Sequence, residues 1–313
     1  MKALVIGGNG YVGRHFVQSS TAFTGFVVAD IERTSPDVVH CDVRQPLDPS
    51  IVSGEAPDWI VLAAAVHREP GHAPEEYFET NLVGAQNATA FASEIGCRNV
   101  FFLSSTSTYG STPAAADEET PPCPTSPYGA SKLTSELILR DWLHQDDGRR
   151  LIICRPGVVY GPGDPGNILR MIRAIKKGYF FFPGNRTVRK SYGYVYGLIA
   201  SMDFTVRRDE RFILYNYVER ETEALEDLVR IVREEFGYRK PVVSLPRPML
   251  AGVAGALQLL SRGRSPLHPT RVRKAALPSH IVPKWLVDHG FTFEYDFRTS
   301  LHDWRARSPE DFE

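Results

Sequence analysis

Residues 2–13 read Lys-Ala-Leu-Val-Ile-Gly-Gly-Asn-Gly-Tyr-Val-Gly, and this stretch decides the fold of the first half of the chain. Its apolar start is typical of a buried parallel strand. Glycines follow at positions 7, 10 and 13, and an amphipathic segment runs from Tyr11 to about Ser20. A strand, a glycine turn and a helix in this order indicate a dinucleotide-binding unit, because the glycines let the backbone approach a pyrophosphate at the helix N-terminus.

A second apolar stretch, Phe26 to Ala29, ends at the acidic residue Asp30. A carboxylate about 20 residues beyond the glycines accepts hydrogen bonds from the adenosine ribose and repels a 2′-phosphate. We therefore expect NAD as the cofactor rather than NADP. Arg33, three residues further on, could hold such a phosphate and leaves NADP open.

Apolar runs alternate with helical patterns through the first half of the chain. The runs cover 59–65, 100–103 and 151–154, and the helical patterns cover 75–95 and 129–144. This alternation predicts an α/β fold with a doubly wound parallel sheet of the Rossmann type. Proline and glycine cluster at 113–129, which predicts a loop over the active site, and at 156–166, which predicts a crossing into a second lobe.

The second half is less regular. It shows a helical pattern at 223–236, a proline-rich joint at 241–248, an apolar stretch at 249–260 and a basic stretch at 262–274. The apolar stretch is too short to span a bilayer and predicts a helix of the core or of the lobe surface. We expect a Rossmann domain over 1–165 and about 188–219, and a smaller C-terminal α/β substrate-binding lobe over 166–187 and 220–313.

Composition excludes several classes of protein. The 313 residues are 42% hydrophobic and carry a net charge of −1, with dispersed basic residues, so we expect no nucleic-acid partner. The four cysteines, at 41, 97, 123 and 154, form no close pair, which argues against a metal site or disulfides and favours a reducing compartment. A strand that begins at residue 2 leaves no room for a signal peptide. We expect a cytoplasmic protein without a membrane partner.

Tyr128 and Lys132 lie in the sequence Tyr-Gly-Ala-Ser-Lys. A spacing of four places both side chains on one face of a helix. A phenol titrates near pH ~10, and a nearby ammonium lowers that value. The pair therefore suits proton removal from a hydroxyl group while hydride leaves the carbon.

These motifs together resemble the extended short-chain dehydrogenases/reductases of the nucleotide-sugar epimerase/dehydratase family. The resemblance covers residues 1 to about 220 well and the rest loosely. It depends on the order of the motifs, which are Gly7-x-x-Gly10-x-x-Gly13, Asp42-Val43, Asn81-x-x-Gly84-x-x-Asn87, Ser104-Ser105-x-x-x-Tyr109-Gly110, Tyr128-x-x-x-Lys132, Arg155-Pro156 and Tyr160-Gly161-Pro162-Gly163.

The resemblance implies a catalytic triad of Ser105, Tyr128 and Lys132. It implies the following cofactor-binding residues: Gly7, Gly10, Tyr11, Val12, Gly13, Asp30, Asp42, Val43, Ala63, Ala64, Asn81, Tyr128, Lys132 and Pro156. It implies substrate contacts from Ser105, Thr106, Asn167, Arg189 and Lys190, of which Lys190 takes the position of the family's phosphate-binding arginine. A solvated basic turn is the alternative for the last two.

Several positions depart from the family pattern. Its 4,6-dehydratases carry Asp-Glu after the catalytic serine or threonine, whereas this chain has Thr106-Ser107, which argues against that reaction. Leu62, Val158 and Tyr196-Gly197 replace the usual histidine, asparagine and Asp-Asp, and these changes leave the substrate open. His67 could face the substrate, although an exposed or structurally bonded histidine is the expected interpretation.

The first hypothesis is an NAD-dependent nucleotide-sugar epimerase that acts at C4 through a transient 4-keto sugar. The second is a net oxidoreductase on the same triad, either a 4-keto-sugar reductase or a hydroxysteroid-type dehydrogenase. A non-catalytic NAD-sensing protein is the third.

Relatives pair the helix near Asn81 and the helix of Tyr128 across a two-fold axis, so we expect a homodimer. The apolar surface of its interface would consist of Leu133, Leu137, Ile138 and Trp142.

Overall fold

The computed structural model describes residues 1–52, 54–69, 71–164, 166–183, 185–245 and 277–313. The predicted apolar helix at 249–260, the basic stretch at 262–274 and the last part of the proline-rich joint lie outside these residues. Among the described helices, none is long and apolar enough to cross a membrane.

The described chain contains short strands and helices that mostly alternate. The strands are β1 Lys2–Ile6, β2 Gly25–Asp30, β3 Val38–His40, β4 Trp59–Leu62, β5 Asn99–Leu103, β6 Thr112–Ala116, β7 Arg150–Pro156, β8 Val158–Tyr160, β9 Phe181–Pro183, β10 Tyr192–Tyr194, β11 Phe212–Tyr217, β12 Val243–Leu245 and β13 Ser279–Ile281. The α-helices are α1 Tyr11–Ser19, α2 Pro74–Tyr77, α3 Val83–Glu94, α4 Pro127–His144, α5 Asn167–Lys177, α6 Val195–Val206, α7 Leu225–Phe236, α8 Lys284–Asp288 and α9 Phe297–Arg307. Short 3₁₀ turns cover Pro49–Ile51, Thr106–Tyr109 and Pro309–Phe312, and a π-helical turn covers Phe78–Leu82.

Seven parallel strands form the central sheet, in the order β11-β7-β5-β4-β1-β2-β3. Successive residues of a strand point to opposite faces, so each strand contributes to two cores. On β1, Leu4 and Ile6 face the core covered by α3 and α4, whereas Ala3 and Val5 face the core covered by α1 and α6. Helices on both faces of a parallel sheet confirm the predicted doubly wound Rossmann-type fold.

A smaller α/β lobe follows the central sheet. Strand β8 pairs with β10, and β9 pairs with β12, while α5, α7 and α9 enclose a separate core. Tyr160, Leu228 and Trp304 are buried members of that core. The predicted division of the chain at 165, 188 and 220 stays a prediction.

One local prediction was wrong in part, and another was confirmed. The predicted loop at 113–129 contains part of strand β6, because Thr112–Ala116 pairs with β13 from the far end of the chain, and no local pattern reports that pairing. The predicted helix at 75–95 is confirmed, since α2, the π-helical turn at Phe78–Leu82 and α3 follow one another without a break from Pro74 to Glu94.

The helix predicted at 129–144 begins two residues earlier than expected. Pro127 occupies the first turn of the helix, and Ser126 caps it, because its hydroxyl accepts a hydrogen bond from the Gly129 N–H.

Candidate active site

Predicted site residues follow the carboxyl ends of several central strands. The glycine loop follows β1, Asp30 ends β2, Ala63 follows β4, and Ser104-Ser105 follows β5. Because these strands are parallel, their carboxyl ends meet at one edge of the sheet. The order of the strands reverses between β1 and β4, which is where an open α/β sheet binds its ligand.

The glycine loop packs so closely that side chains do not fit. A Cβ atom on Gly7, whose φ is 86°, would lie 2.4 Å from the Ala64 nitrogen, and one on Gly13 would lie 2.3 Å from the Gly7 carbonyl oxygen. Helix α1 then begins at Tyr11 without a side-chain cap and without an acidic residue in its first turn. The N–H groups of this turn therefore suit an anion such as the pyrophosphate of a dinucleotide.

The Asp30 carboxylate is held beside this loop. It accepts hydrogen bonds from the N–H groups of Asn9, at 3.0 Å, and Glu32, at 3.1 Å. A carboxylate has about four acceptor positions, so it can also accept from ribose hydroxyls. Arg33 donates from Nε to the Val38 carbonyl oxygen, at 3.1 Å. These residues fit NAD.

Asp42 and Val43 lie on a loop that α3 fixes in place. The Asn87 amide donates to the carbonyl oxygens of Val43, at 2.8 Å, and Gln45, at 2.9 Å. The Asp42 carboxylate accepts from the Arg44 guanidinium, and this hydrogen bond is the main reason why the pKa of Asp42 is lowered.

Asn81 also acts on a loop. Its side chain accepts from the Val66 N–H at 2.9 Å and donates to the Val66 carbonyl at 3.0 Å, and it donates to the Ser131 hydroxyl at 2.9 Å. The segment before Val66 is tied to β1, because the N–H groups of Ala63 and Ala64 both donate to the Ile6 carbonyl oxygen. Asn81 is buried, and these contacts position the loop that borders the glycine turn.

Ser105, Tyr128 and Lys132 come together at the end of β5. Ser105 caps the 3₁₀ turn, where its hydroxyl accepts from the Ser107 N–H, and it is hydrogen-bonded to the Tyr128 side chain. Lys132 lies one helical turn after Tyr128 and donates from Nζ to the Leu103 carbonyl oxygen at 2.8 Å. A Cβ on Gly129 would lie 2.3 Å from the Ser107 carbonyl oxygen, so only glycine lets α4 approach this turn so closely.

Burial dominates the titration of this triad. It raises the pKa of Tyr128 to about 12, although the hydrogen bond with Ser105 acts in the opposite direction. We expected Lys132 to lower the Tyr128 pKa below its ordinary value, and this was wrong because desolvation of the phenolate outweighs the groups that favour it. Burial also lowers the pKa of Lys132 to about 7, and the Glu136 carboxylate opposes that change.

A loop from β4 forms one wall beside Tyr128. The Tyr77 ring centre lies 6.2 Å from that of Tyr128, and the Tyr77 hydroxyl donates to the Arg68 carbonyl oxygen at 2.6 Å. The negative charge of Glu69 acts on Tyr128 and contributes to its raised pKa. His67 is exposed, as expected.

The predicted substrate residues lie on other elements. Asn167 is the exposed first residue of α5, and Thr106 begins the 3₁₀ turn, whereas Pro156, predicted as a cofactor residue, is buried at the end of β7. The Arg189 guanidinium donates to the Thr222 carbonyl oxygen, while the Lys190 backbone bridges to Ser279. Neighbouring residues of an extended segment point to opposite faces, so Arg189 and Lys190 do not serve one surface together.

Packing accounts for one departure from the family pattern. A Cβ atom on Gly197 would lie 2.1 Å from the Tyr217 hydroxyl, which itself donates to the Tyr194 carbonyl oxygen at 3.0 Å. The tyrosine occupies the space that an aspartate side chain would need. Val158 is exposed and Leu62 is buried at the end of β4.

Sequence reasoning missed a buried ion pair beneath the triad. Arg155 donates twice to the Glu136 carboxylate, which also accepts from the Ser104 hydroxyl. The spacing of four between Lys132 and Glu136 was the available signal. Among the described residues, no cluster of side chains could hold a metal ion.

Known proteins share this arrangement. The model of the NAD dependent epimerase/dehydratase family matches residues 3–216. The chain is 28% identical over 310 residues to the N-acetyl-alpha-D-glucosaminyl-diphospho-ditrans,octacis-undecaprenol 4-epimerase of Escherichia coli O157:H7, which covers 95% of this chain and 92% of the relative. It is 27% identical to the UDP-glucose 4-epimerase of Lactobacillus helveticus, over 54% of each protein.

A solved structure supports the same fold. The UDP-glucose 4-epimerase of Thermus thermophilus, in complex with NAD, superposes with a TM-score of 0.72 at 23% identity, over 97% of this chain and 99% of that one. The family match confirms the predicted enzyme class, an NAD-dependent epimerase/dehydratase, and the predicted cofactor, NAD. The chain belongs to the NAD dependent epimerase/dehydratase family.

Proposed function

We propose that this protein is a 4-epimerase of a diphosphate-linked sugar that uses Ser105, Tyr128 and Lys132. The observation that carries the proposal is the meeting of a hydroxyl, a phenol and an ammonium at the sheet edge beside the glycine loop. This set can remove a proton from a sugar hydroxyl and can return it.

Each residue of the triad has a separate task. Tyr128 takes the proton of the C4 hydroxyl, and Ser105, which is hydrogen-bonded to Tyr128, orients that hydroxyl. Lys132 supplies the positive charge that favours the phenolate. When bound, NAD supplies hydride acceptance and return. The 4-keto sugar rotates in the site so that hydride returns to its other face and the proton returns from Tyr128. The product therefore has the opposite configuration at C4.

The same site argues against a 4,6-dehydratase. That reaction needs a further acid and base to eliminate water, and the two residues after Ser105 are Thr106 and Ser107. Hydroxyl groups do not titrate near neutral pH. A net oxidoreductase uses the same triad and is separated from the epimerase by experiment.

The diphosphate is the part of the substrate with the clearest support. Asn167 begins α5, whose N-terminus also faces the Asp164 carboxylate through the Gly166 N–H, and Lys190 supplies a positive charge from the segment before β10. Helix N-termini and ammonium groups both bind phosphate oxygens. Either a nucleoside or a polyprenol could carry this diphosphate, since relatives of both kinds match the chain.

The test offers one sugar on two carriers. The NAD-loaded protein is freed of unbound cofactor and incubated with UDP-N-acetylglucosamine or with polyprenyl-diphospho-N-acetylglucosamine. We expect NMR to detect the C4 epimer on one carrier without accumulation of NADH at 340 nm. Net NADH formation, or a requirement for NADPH, would move the assignment to an oxidoreductase. Tyr179→Phe, which removes the hydroxyl of a tyrosine that is 62% exposed, is the control for Tyr128→Phe.

We also propose a cytoplasmic homodimer and the division into two lobes given above. The exposed Leu137 on α4, at 58% exposure, supports a helix-pair interface. Trp142, which we expected at that interface, is buried and donates to the Ser93 hydroxyl at 3.1 Å, so it packs within the subunit instead. Light scattering at micromolar concentration should report twice the mass of 35.0 kDa, and Leu137→Glu should reduce it to one chain.

A further inference from the structure

We propose that Glu136 is a positioning residue of the catalytic centre, which fixes the strand end at Ser104–Ser105 and supplies the negative charge that faces Lys132. Its catalytic meaning rests on the function proposed above, whereas its effect on Lys132 can be measured without a substrate.

Glu136 is placed between two parts of the triad. It lies one helical turn after Lys132 on α4 and is 1% exposed. Its Oε1 accepts from the Ser104 hydroxyl at 2.5 Å, and Ser104 is the residue directly before Ser105. A carboxylate in this place holds the end of β5 against the helix that carries Tyr128 and Lys132.

Arg155 completes the site of the carboxylate. It donates to Glu136 from Nε at 2.9 Å and from Nη2 at 2.6 Å, and both side chains are almost fully buried. The Arg155 guanidinium also lies 4.7 Å from the centre of the Tyr109 ring, whose hydroxyl donates to Asn216 at 2.9 Å. This polar chain crosses the sheet from α4 to β11, so Glu136 has a fixed position relative to the strands.

Burial and the charge of Glu136 have opposite effects on the pKa of Lys132. Glu136 raises the pKa of the ammonium, which burial has lowered to about 7. The other charged or titratable groups that face this region are Arg155 from β7, Arg140 from α4, His67 from the loop after β4, and Tyr128. Lys132 without Glu136 would therefore lose its proton at a lower pH.

The test measures the titration of Lys132 directly in the NAD-loaded protein. Lysine labelled with ¹³C at Cε reports the charge of its ammonium through its chemical shift, and Lys132→Arg identifies the resonance. Two opposite charges about one helical turn apart interact strongly enough to move a midpoint by ~1–2 pH units. We therefore expect Glu136→Gln to lower the Lys132 midpoint by that amount.

Arg155→Met provides the matched control because it leaves the carboxylate without its cation. We expect it to raise the Lys132 midpoint, whereas general damage to the fold would move both variants in the same direction. Each single change breaks a buried pair and is destabilising. If either fails to fold, the double variant Glu136→Gln/Arg155→Met remains informative, and its midpoint should lie below that of the wild type.

Two results would overturn the proposal. One is an unchanged Lys132 midpoint in folded Glu136→Gln or in the double variant. The other is a shift of the same sign in both single variants. A shifted midpoint together with no epimerisation of any sugar diphosphate would instead refute the proposed function and leave this inference standing. Where epimerisation is observed, the alkaline limb of kcat should move with the Lys132 midpoint while KM changes little.

Discussion

Glu219 provides the sharpest test of the electrostatics of this fold. Its carboxyl is 7% exposed, its N–H donates to the Tyr192 carbonyl oxygen, and it lies in hydrogen-bond contact with the Tyr160 hydroxyl. Tyr160 is also 2.6 Å from the Ser300 hydroxyl. The pKa of Glu219 is raised to about 8, chiefly by burial and also by the charges of Asp296 and Glu223, while the hydrogen bond with Tyr160 acts in the opposite direction.

The sign of the effect on stability follows from proton linkage. Between pH ~4.5 and the folded value of about 8, the folded protein holds a proton on Glu219 that the unfolded chain has released. The free energy of unfolding therefore falls as pH rises through this interval and stays low above it. The difference in pKa corresponds to a loss on the order of 4 to 5 kcal/mol.

Glu219→Gln removes this titration while it keeps the shape of the side chain. We expect the variant to match the wild type near pH 5 and to exceed its free energy of unfolding by several kcal/mol at pH 9. The measurement is urea unfolding from pH 5 to 9 at one fixed NAD concentration, since a bound ligand itself adds stability. Burial raises the pKa of Asp164 to about 6 and lowers that of Lys132 to about 7, but both groups titrate in both proteins, so the difference between the two curves isolates Glu219.

Glu221→Gln is the matched control because Glu221 is exposed two residues away. It should leave the pH dependence of the wild type unchanged. Parallel stability curves for Glu219→Gln and the wild type across this range would refute a neutral buried carboxyl.

Three further predictions concern the cofactor site. Asp30→Ala should weaken NAD binding by ~10–100-fold and reduce the difference in affinity between NAD and NADP, as measured by fluorescence titration. Glu32→Ala, at an exposed residue, is the control. A wild type that prefers NADPH would contradict the assignment. Gly13→Ala should abolish NAD retention through purification, because its Cβ would lie 2.3 Å from a carbonyl oxygen of the loop; retained NAD would show that the loop can relax. Lys132→Ala should lower both turnover and NAD affinity, while Tyr128→Phe lowers turnover by ~10²–10⁴-fold and keeps the cofactor; near-normal turnover in Tyr128→Phe would exclude the triad.

The predictions that succeeded depended on local sterics and short spacings. The glycine loop could be predicted because a backbone that turns onto a helix N-terminus excludes Cβ atoms, as the contact of Gly13 with Gly7 shows. The meeting of Tyr128 and Lys132 required only the helical period. The doubly wound sheet could be predicted because buried parallel strands are continuously apolar, so that apolar runs alternate with helical patterns along the sequence.

Properties that depend on distant parts of the chain could not be predicted. Strand β6 exists because residues 112–116 pair with residues 279–281. The raised pKa of Tyr128 comes from burial to which the loop held by Tyr77 contributes, and no spacing in the sequence reports burial. The burial of Trp142 was likewise decided by the contact of α4 with Ser93 of α3.

Chemistry and substrate choice are separated in this molecule. The chemistry lies at the ends of buried parallel strands, where backbone hydrogen bonds such as that of Lys132 with the Leu103 carbonyl fix each group. The proposed substrate contacts lie elsewhere: Asn167 begins α5, and Arg189 and Lys190 precede β10, where they bridge to Ala224 and Ser279. Replacement of an aspartate by Gly197 is tolerated because Tyr217 fills the space, and the triad is undisturbed by it. A fold of this kind can therefore keep one redox reaction while the carrier of its sugar changes.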